Sequence, residues 1–180
     1  MMMSHSKLVH IREQVLPVMI DIGVINLSQA DGLRMVPLGT IRRNATRMHA
    51  VCRYHPGPRG GDKGIDDVKE IAIHPVAIED DWQDYAQFLM YHEMLHAIGY
   101  VRHDRLFRDL EARWPDKNAR EAGPSFGRHL RERAARWKWI CPRCEREHHR
   151  SRRSNGRYLC RVCKVKLIDV PTGQTHDAAS

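Results

Sequence analysis

Long apolar runs are missing from this sequence. Between Met1 and Gly23 no run exceeds the six residues Val15 to Ile20, and Pro17 interrupts that one. A secretory leader and a membrane span are therefore not expected, and the chain reads as an intracellular, cytoplasmic protein. Low-complexity tracts are missing too, so most of the 180 residues should fold, enough for one domain and a small appendage. The first 100 residues lack any excess of positive charge, with 10 Lys and Arg against 12 Asp and Glu. Residues 101–180 hold 20 against 10, so the net charge of +8 arises wholly in the second half. A basic half of this kind favours phosphate backbones, DNA or another nucleic acid, through counterion release.

What the chain does have is two sets of metal-ligand residues. Four of its five cysteines form the C-x-x-C pairs Cys141/Cys144 and Cys160/Cys163, fifteen residues apart, the spacing of a zinc ribbon. Without a secretion signal, disulfides are the weaker interpretation of these pairs. Cys52 is left over and reads as a small buried residue on a strand. The second set is His92-Glu93-Met94-Leu95-His96, an H-E-x-x-H motif. Histidines four apart lie one above the other on a helix, so both can reach one zinc ion, and Glu93 can act as general base on the metal's water.

Around that motif the apolar pattern is helical, with Tyr85, Phe88, Leu89, His92, His96 and Gly99 on one stripe and Asp80 or Asp81 as the expected N-cap. Catalytic zinc usually takes three protein ligands. His103 is the nearest candidate, with Glu111 and His129 as competitors. A continuous helix would carry His103 about 10 Å beyond His96, so the helix must break, and Gly99 permits it. His103, Phe107, Leu110, Glu111 and Trp114 then share the face of a second helix.

The remaining elements read less sharply. A helix is expected over Lys7 to Ile22 despite Pro17, and a half-buried strand over Arg47 to Tyr54. The stretch His55 to Gly64 is a surface loop rich in Gly and Pro. Lys69 to Ile78, with Pro75, reads as an edge strand able to pair with an extended peptide. Asp116 to Pro124 reads as a linker, and Phe126 to Lys138 as a basic helix capped by Ser125. Asn155-Gly156 marks a hairpin turn inside the ribbon.

With these residues in view, the chain resembles the SprT-like family of zinc metallopeptidases, which includes the Spartan proteases of DNA-protein crosslink repair. The resemblance rests on His92 to Ala97, on His103 to Phe107, and on Arg157 to Leu167 around the second cysteine pair. It implies His92, His96 and His103 as zinc ligands and Glu93 as the base. Asp104 stands where the family usually has Gly, and Ala122 precedes Gly123-Pro124-Ser125-Phe126 where a histidine is usual. His92 to His103 also looks like the metzincin pattern, with Arg102 at the last histidine position. Gly99-Tyr100 is similar to the bacterial rRNA-maturation metallohydrolases, which lack the motif glutamate.

The expected fold class is α+β. A zincin-like metallopeptidase domain over residues 1–115 would pack a small mixed sheet, with an edge strand, on the motif helix. A linker and basic helix over 116–138, a four-cysteine zinc ribbon over 139–170 and a disordered tail over 171–180 would follow. The expected function is a metallopeptidase with one catalytic and one structural zinc, acting on nucleic-acid-associated proteins. A metal-dependent ribonuclease and a non-catalytic nucleic-acid-binding zinc adaptor are the alternatives.

Overall fold

Helix α1 (Met2–Asp21) buries Leu8, Ile11, Val15, Leu16 and Met19 along one face. This is the i, i+3, i+7, i+8, i+11 spacing of an amphipathic helix. Pro17 lies inside it on the exposed face, where the carbonyl left without its helical donor meets water. The helix starts well before the Lys7 read from the periodicity. It ends in a Schellman motif: Gly23 has φ +68°, and Val24 N–H and Gly23 N–H donate to the carbonyls of Met19 and Ile20. Helix α2 (Leu27–Met35) opens on a capping box in which Asn26 and Gln29 bond each other's backbone N–H. In this computed structural model, residues 2–57 and 62–173 are described. Of the expected loop, positions 58–61 lie outside them.

Three strands form the first sheet: β1 (Leu38–Thr40), β2 (Ala50–Tyr54) and β3 (Val68–Ile73), in the order β1-β3-β2. β3 runs parallel to β1, with Leu38 opposite Ile71, and antiparallel to β2, with Cys52 opposite Ile71. The strand expected at the edge is thus the central one. The physical reason is visible in Ile71-Ala72-Ile73, three consecutive residues at most 1% exposed. Both faces of the strand are covered, which a central position requires. Pro75 lies beyond its end, and β2 holds an edge of the sheet instead.

Helix α3 (Gln83–Ala97) packs on β2, β3 and α1 and is buried on nearly every side. Asp80 and Asp81 do not cap it, because a 3-10 turn over Asp80–Trp82 leads into the helix and Trp82 takes the cap position. Helix α4 (Arg105–Glu111) follows. Then comes helix α5 (Lys117–Glu121), where a linker was expected; Asp116 accepts bonds from the N–H groups of Asn118 and Ala119 and so starts a helix that packs on α3. Helix α6 (Gly123–Arg133) begins earlier than expected, with Ser125 inside it. Phe126 is fully buried, edge-on to His49, His74 and Trp82. These contacts extend the first compact unit to Phe126, past the expected limit at 115.

The second unit runs from Gly127. Its sheet has the order β5-β4-β6, all antiparallel: β4 (Trp137–Ile140), β5 (Glu147–Arg150) and β6 (Ile168–Pro171). Trp137 and Lys138 are therefore strand and not helix, since alternating aromatic residues suit a pleated surface. Asn155 (φ 49°) and Gly156 (φ 66°) do form a turn, closed by Arg157 N–H to the Ser154 carbonyl. It joins no hairpin, because β5 and β6 both pair with β4. Pro171 closes β6, and Thr172 bonds the carbonyls of Ala135 and Arg136. Residues 174–180 of the expected tail lie outside the described residues. Overall the chain is α+β with two small sheets. Among the described residues no helix is long and apolar enough to cross a membrane.

Candidate functional site

α3 ends one residue after its second histidine. Gly99 adopts φ +110°, Tyr100 N–H reaches back to the Leu95 carbonyl, and Gly99 N–H reaches the His96 carbonyl. A Cβ at Gly99 would stand 2.9 Å from the Lys63 carbonyl oxygen, so glycine is required both for the left-handed backbone and for space. The chain turns back, and Asp104 caps α4 by accepting from Phe107 N–H at 3.0 Å. This gives the aspartate after His103 a plain role: it fixes the helix start beside the histidine.

The turn returns His103 to the histidines of α3. Its Nε2 lies 3.1 Å from His92 Nε2 and 3.2 Å from His96 Nε2. Beneath them Phe107, fully buried, places its ring 4.7–5.0 Å from all three imidazoles. The other ring nitrogens of the α3 pair are engaged. His92 Nδ1 is 2.6 Å from Glu111 Oε1, and His96 Nδ1 is 2.7 Å from the Tyr100 carbonyl. A carbonyl and a carboxylate only accept, so each Nδ1 carries the proton and each Nε2 turns a lone pair toward the gap.

Lone pairs aimed at one point repel unless a cation lies between them. Nitrogens about 2.0–2.1 Å from a tetrahedral zinc stand about 3.3–3.4 Å apart, close to the spacing here. His92, His96 and His103 can thus hold a metal ion, compatible with zinc. Of the competing ligands, Glu111 is occupied as the hydrogen-bond partner of His92, and His129 is outside the cluster. Burial holds His96 down to about 4, against the pull of the Tyr100 carbonyl, which keeps the imidazole neutral as a ligand must be. The Glu111 carboxyl lies below its usual range, chiefly through the bond to His92.

Glu93 is 5% exposed. Burial pushes its carboxyl up to about 7, with His92 and the backbone N–H of Cys52 acting the other way. A carboxyl so placed can exchange protons near neutral pH. Cys52, half-buried on β2, has its thiol pushed up to about 12 by burial and by the charge of Glu93, so it is an inert neighbour. Tyr54 of the same strand donates its hydroxyl to the His96 carbonyl at 2.6 Å. Sequence reasoning had Glu111 as a competing ligand, not as the hydrogen-bond partner of His92, and gave Phe107 and β2 no part in the site. The shared face of Phe107 and Glu111 with His103 was the available signal.

The four cysteines converge in the second unit, with Cys144 Sγ 3.7 Å from Cys160 Sγ. Thiolates about 2.3 Å from a tetrahedral zinc stand about 3.8 Å apart, so this cluster also fits a metal ion. The two knuckles share one hydrogen-bond pattern. Glu145 N–H donates to the Cys141 carbonyl and Lys164 N–H to that of Cys160, while Cys141 and Cys160 N–H donate to Arg146 and Val165. The backbone N–H groups of Cys163 and Val162 pull the Cys160 thiol down toward the thiolate a metal needs.

On the same small sheet Trp139 stacks on Tyr158 at 4.6 Å, with the Arg150 guanidinium 5.0 Å from the Trp139 ring. Arg153 lies 4.2 Å from the Trp137 ring. Residues 127–180 carry 14 Lys and Arg against 5 Asp and Glu. No family model, curated protein or solved structure matches the chain.

Proposed function

We propose that the chain is a zinc-dependent metallopeptidase of the SprT-like, zincin kind, acting on proteins associated with DNA or another nucleic acid. The observation that carries this reading is the convergence of three imidazole nitrogens, two with lone pairs fixed inward, beside a buried glutamate. Zinc bound there would supply a water of lowered pKa and a Lewis acid for the peptide carbonyl. Glu93 takes a proton from the attacking water and returns it to the leaving amine. Glu111 and the Tyr100 carbonyl hold the rings of His92 and His96 in place. β2, at the sheet edge, offers a row of backbone groups along which an extended substrate can lie. The four-cysteine ribbon, with a structural zinc, carries the positive charge and the Trp139–Tyr158 stack that suit nucleic acid.

A cluster of three histidines with no fourth ligand among the described residues, and the buried carboxyl, both favour catalysis over a purely structural metal, which would take a fourth protein ligand and leave a base without use. The test is Glu93→Gln. Cleavage of a DNA-bound protein should disappear while zinc content stays at the wild-type level; retained proteolysis would reject the mechanism. Structured RNA incubated in parallel should remain intact.

A further inference from the structure

Tyr54, the last residue of β2, joins two parts of the site. Backbone bonds from His74 N–H to the His49 carbonyl and from His55 N–H to the Asp67 carbonyl fix the phase of the ladder between β2 and β3. An antiparallel ladder alternates, so the backbone groups of Ala50, Cys52 and Tyr54 turn away from β3 toward the open edge of the sheet. These are the groups with which an extended peptide pairs. The side chain of Tyr54 meanwhile reaches α3, its hydroxyl donating to the His96 carbonyl at 2.6 Å.

That carbonyl lies where the helix stops. Tyr100 N–H, which would be its donor in a continuing helix, bonds the Leu95 carbonyl instead, so Gly99 N–H at 3.0 Å and the tyrosine hydroxyl share the His96 oxygen. Lys63 holds the same corner, with Nζ 5.9 Å from the centre of the Tyr54 ring and its backbone carbonyl against Gly99. Resting on the peptidase reading, we propose that Tyr54 is a positioning residue that couples substrate pairing along β2 to the placement of His96. Binding of residues remote from the cut is then spent on aligning the cleaved bond with the histidine cluster and Glu93.

The test compares Tyr54→Phe with wild type, as full-length zinc-loaded protein, on a short peptide spanning only the cut and on a longer one that extends past Tyr54. Tyr91→Phe is the control, since it loses a hydroxyl-to-carbonyl bond of α3, to Leu110, that does not involve β2. In wild type the longer peptide should gain about tenfold in kcat, the scale of one or two backbone hydrogen bonds. Tyr54→Phe should abolish that gain in kcat while keeping any gain in KM. It should also weaken zinc at the histidine cluster about tenfold in chelator competition, the low end for a partner outside the ligand set. Tyr91→Phe should lower Tm and keep the kcat gain. No length dependence in wild type, a kcat gain or a zinc affinity unchanged in Tyr54→Phe, or an equal loss of the gain in Tyr91→Phe overturns the role while leaving the peptidase standing. No cleavage of any peptide by wild type removes both.

Discussion

Glu111 illustrates how a cluster that could hold a metal depends on a residue outside its ligand set. Its carboxylate accepts from His92 Nδ1–H at 2.6 Å, setting the tautomer and the ring angle. Partners of this kind commonly account for about ten- to a hundredfold in metal affinity. Glu111→Gln keeps an acceptor but loses the charge, and Glu111→Ala loses both. Zinc affinity at the histidine cluster, measured by chelator competition, should fall in that order, with the alanine variant about a hundredfold weaker. Affinity unchanged in both would remove Glu111 from this role. His74 makes a separate residue-scale case. Fully buried, it donates from Nε2 to the Ala45 carbonyl and accepts the Val76 N–H at Nδ1, so only the neutral ring satisfies both. Burial is the main cause that lowers its pKa below the ordinary 6.5, with His49 and Arg43 charges adding to it and the Ala45 carbonyl opposing. The folded chain then binds fewer protons than the unfolded one as pH drops below 6.5. The associated stability is whole above that pH and is lost as pH falls through the lowered folded value. Urea unfolding at pH 7.5 and pH 5 should show a smaller acid loss for His74→Asn than for wild type.

At the scale of elements, legibility followed locality. α3 and its break were readable because the pattern is long and periodic and because Gly99 is the residue a left-handed turn requires. The return of His103 to His92 and His96 followed from the same break. By contrast, the 3-10 turn that replaces an aspartate cap, the central place of β3 and the strand at Trp137 are set by what packs around them. Pro75 suggested an edge, yet the run Ile71-Ala72-Ile73 carried the better signal. The pairing of Glu111 with His92 spans 19 residues and had no local trace beyond a shared helix face. The knuckles yield a prediction of their own. Glu145 (φ 54°) and Lys164 (φ 57°) each hold the left-handed conformation after the second cysteine of a pair, at a cost of about 1 kcal/mol for a side chain with Cβ. Glu145→Gly and Lys164→Gly should each raise the stability of the zinc-bound ribbon by about 0.5–1 kcal/mol, read from its unfolding midpoint. A lower midpoint in both would show that the side chains contribute more than the backbone strain removes.

For the whole molecule, the division at Phe126 separates two clusters that could hold metal ions, set in cores of unequal size. The first unit has an extensive apolar core drawn from α1, β3 and α3. The core cluster of the second consists of Trp139, Cys141, Cys160 and Leu167, with Trp137, Cys163 and Val165 partly buried against it. Two of its four buried members are cysteines, so without an ion bound to them too little apolar surface would remain to offset the entropy of ordering the chain. Cys160→Ala should therefore lower the zinc content from two ions to one and strip β4 of hydrogen-exchange protection, while α3 stays protected and the histidine cluster stays loaded. Nucleic-acid affinity should fall with it, since the 14 basic side chains of residues 127–180 would lose their fixed arrangement. In the intact protein that affinity should drop steeply between 50 and 200 mM salt, by about 10³-fold if some six phosphates are neutralised. A ribbon that keeps β4 protected without its metal would mean that aromatic stacking of Trp139 on Tyr158 suffices to hold it. Binding indifferent to salt would place nucleic-acid recognition somewhere other than this charge.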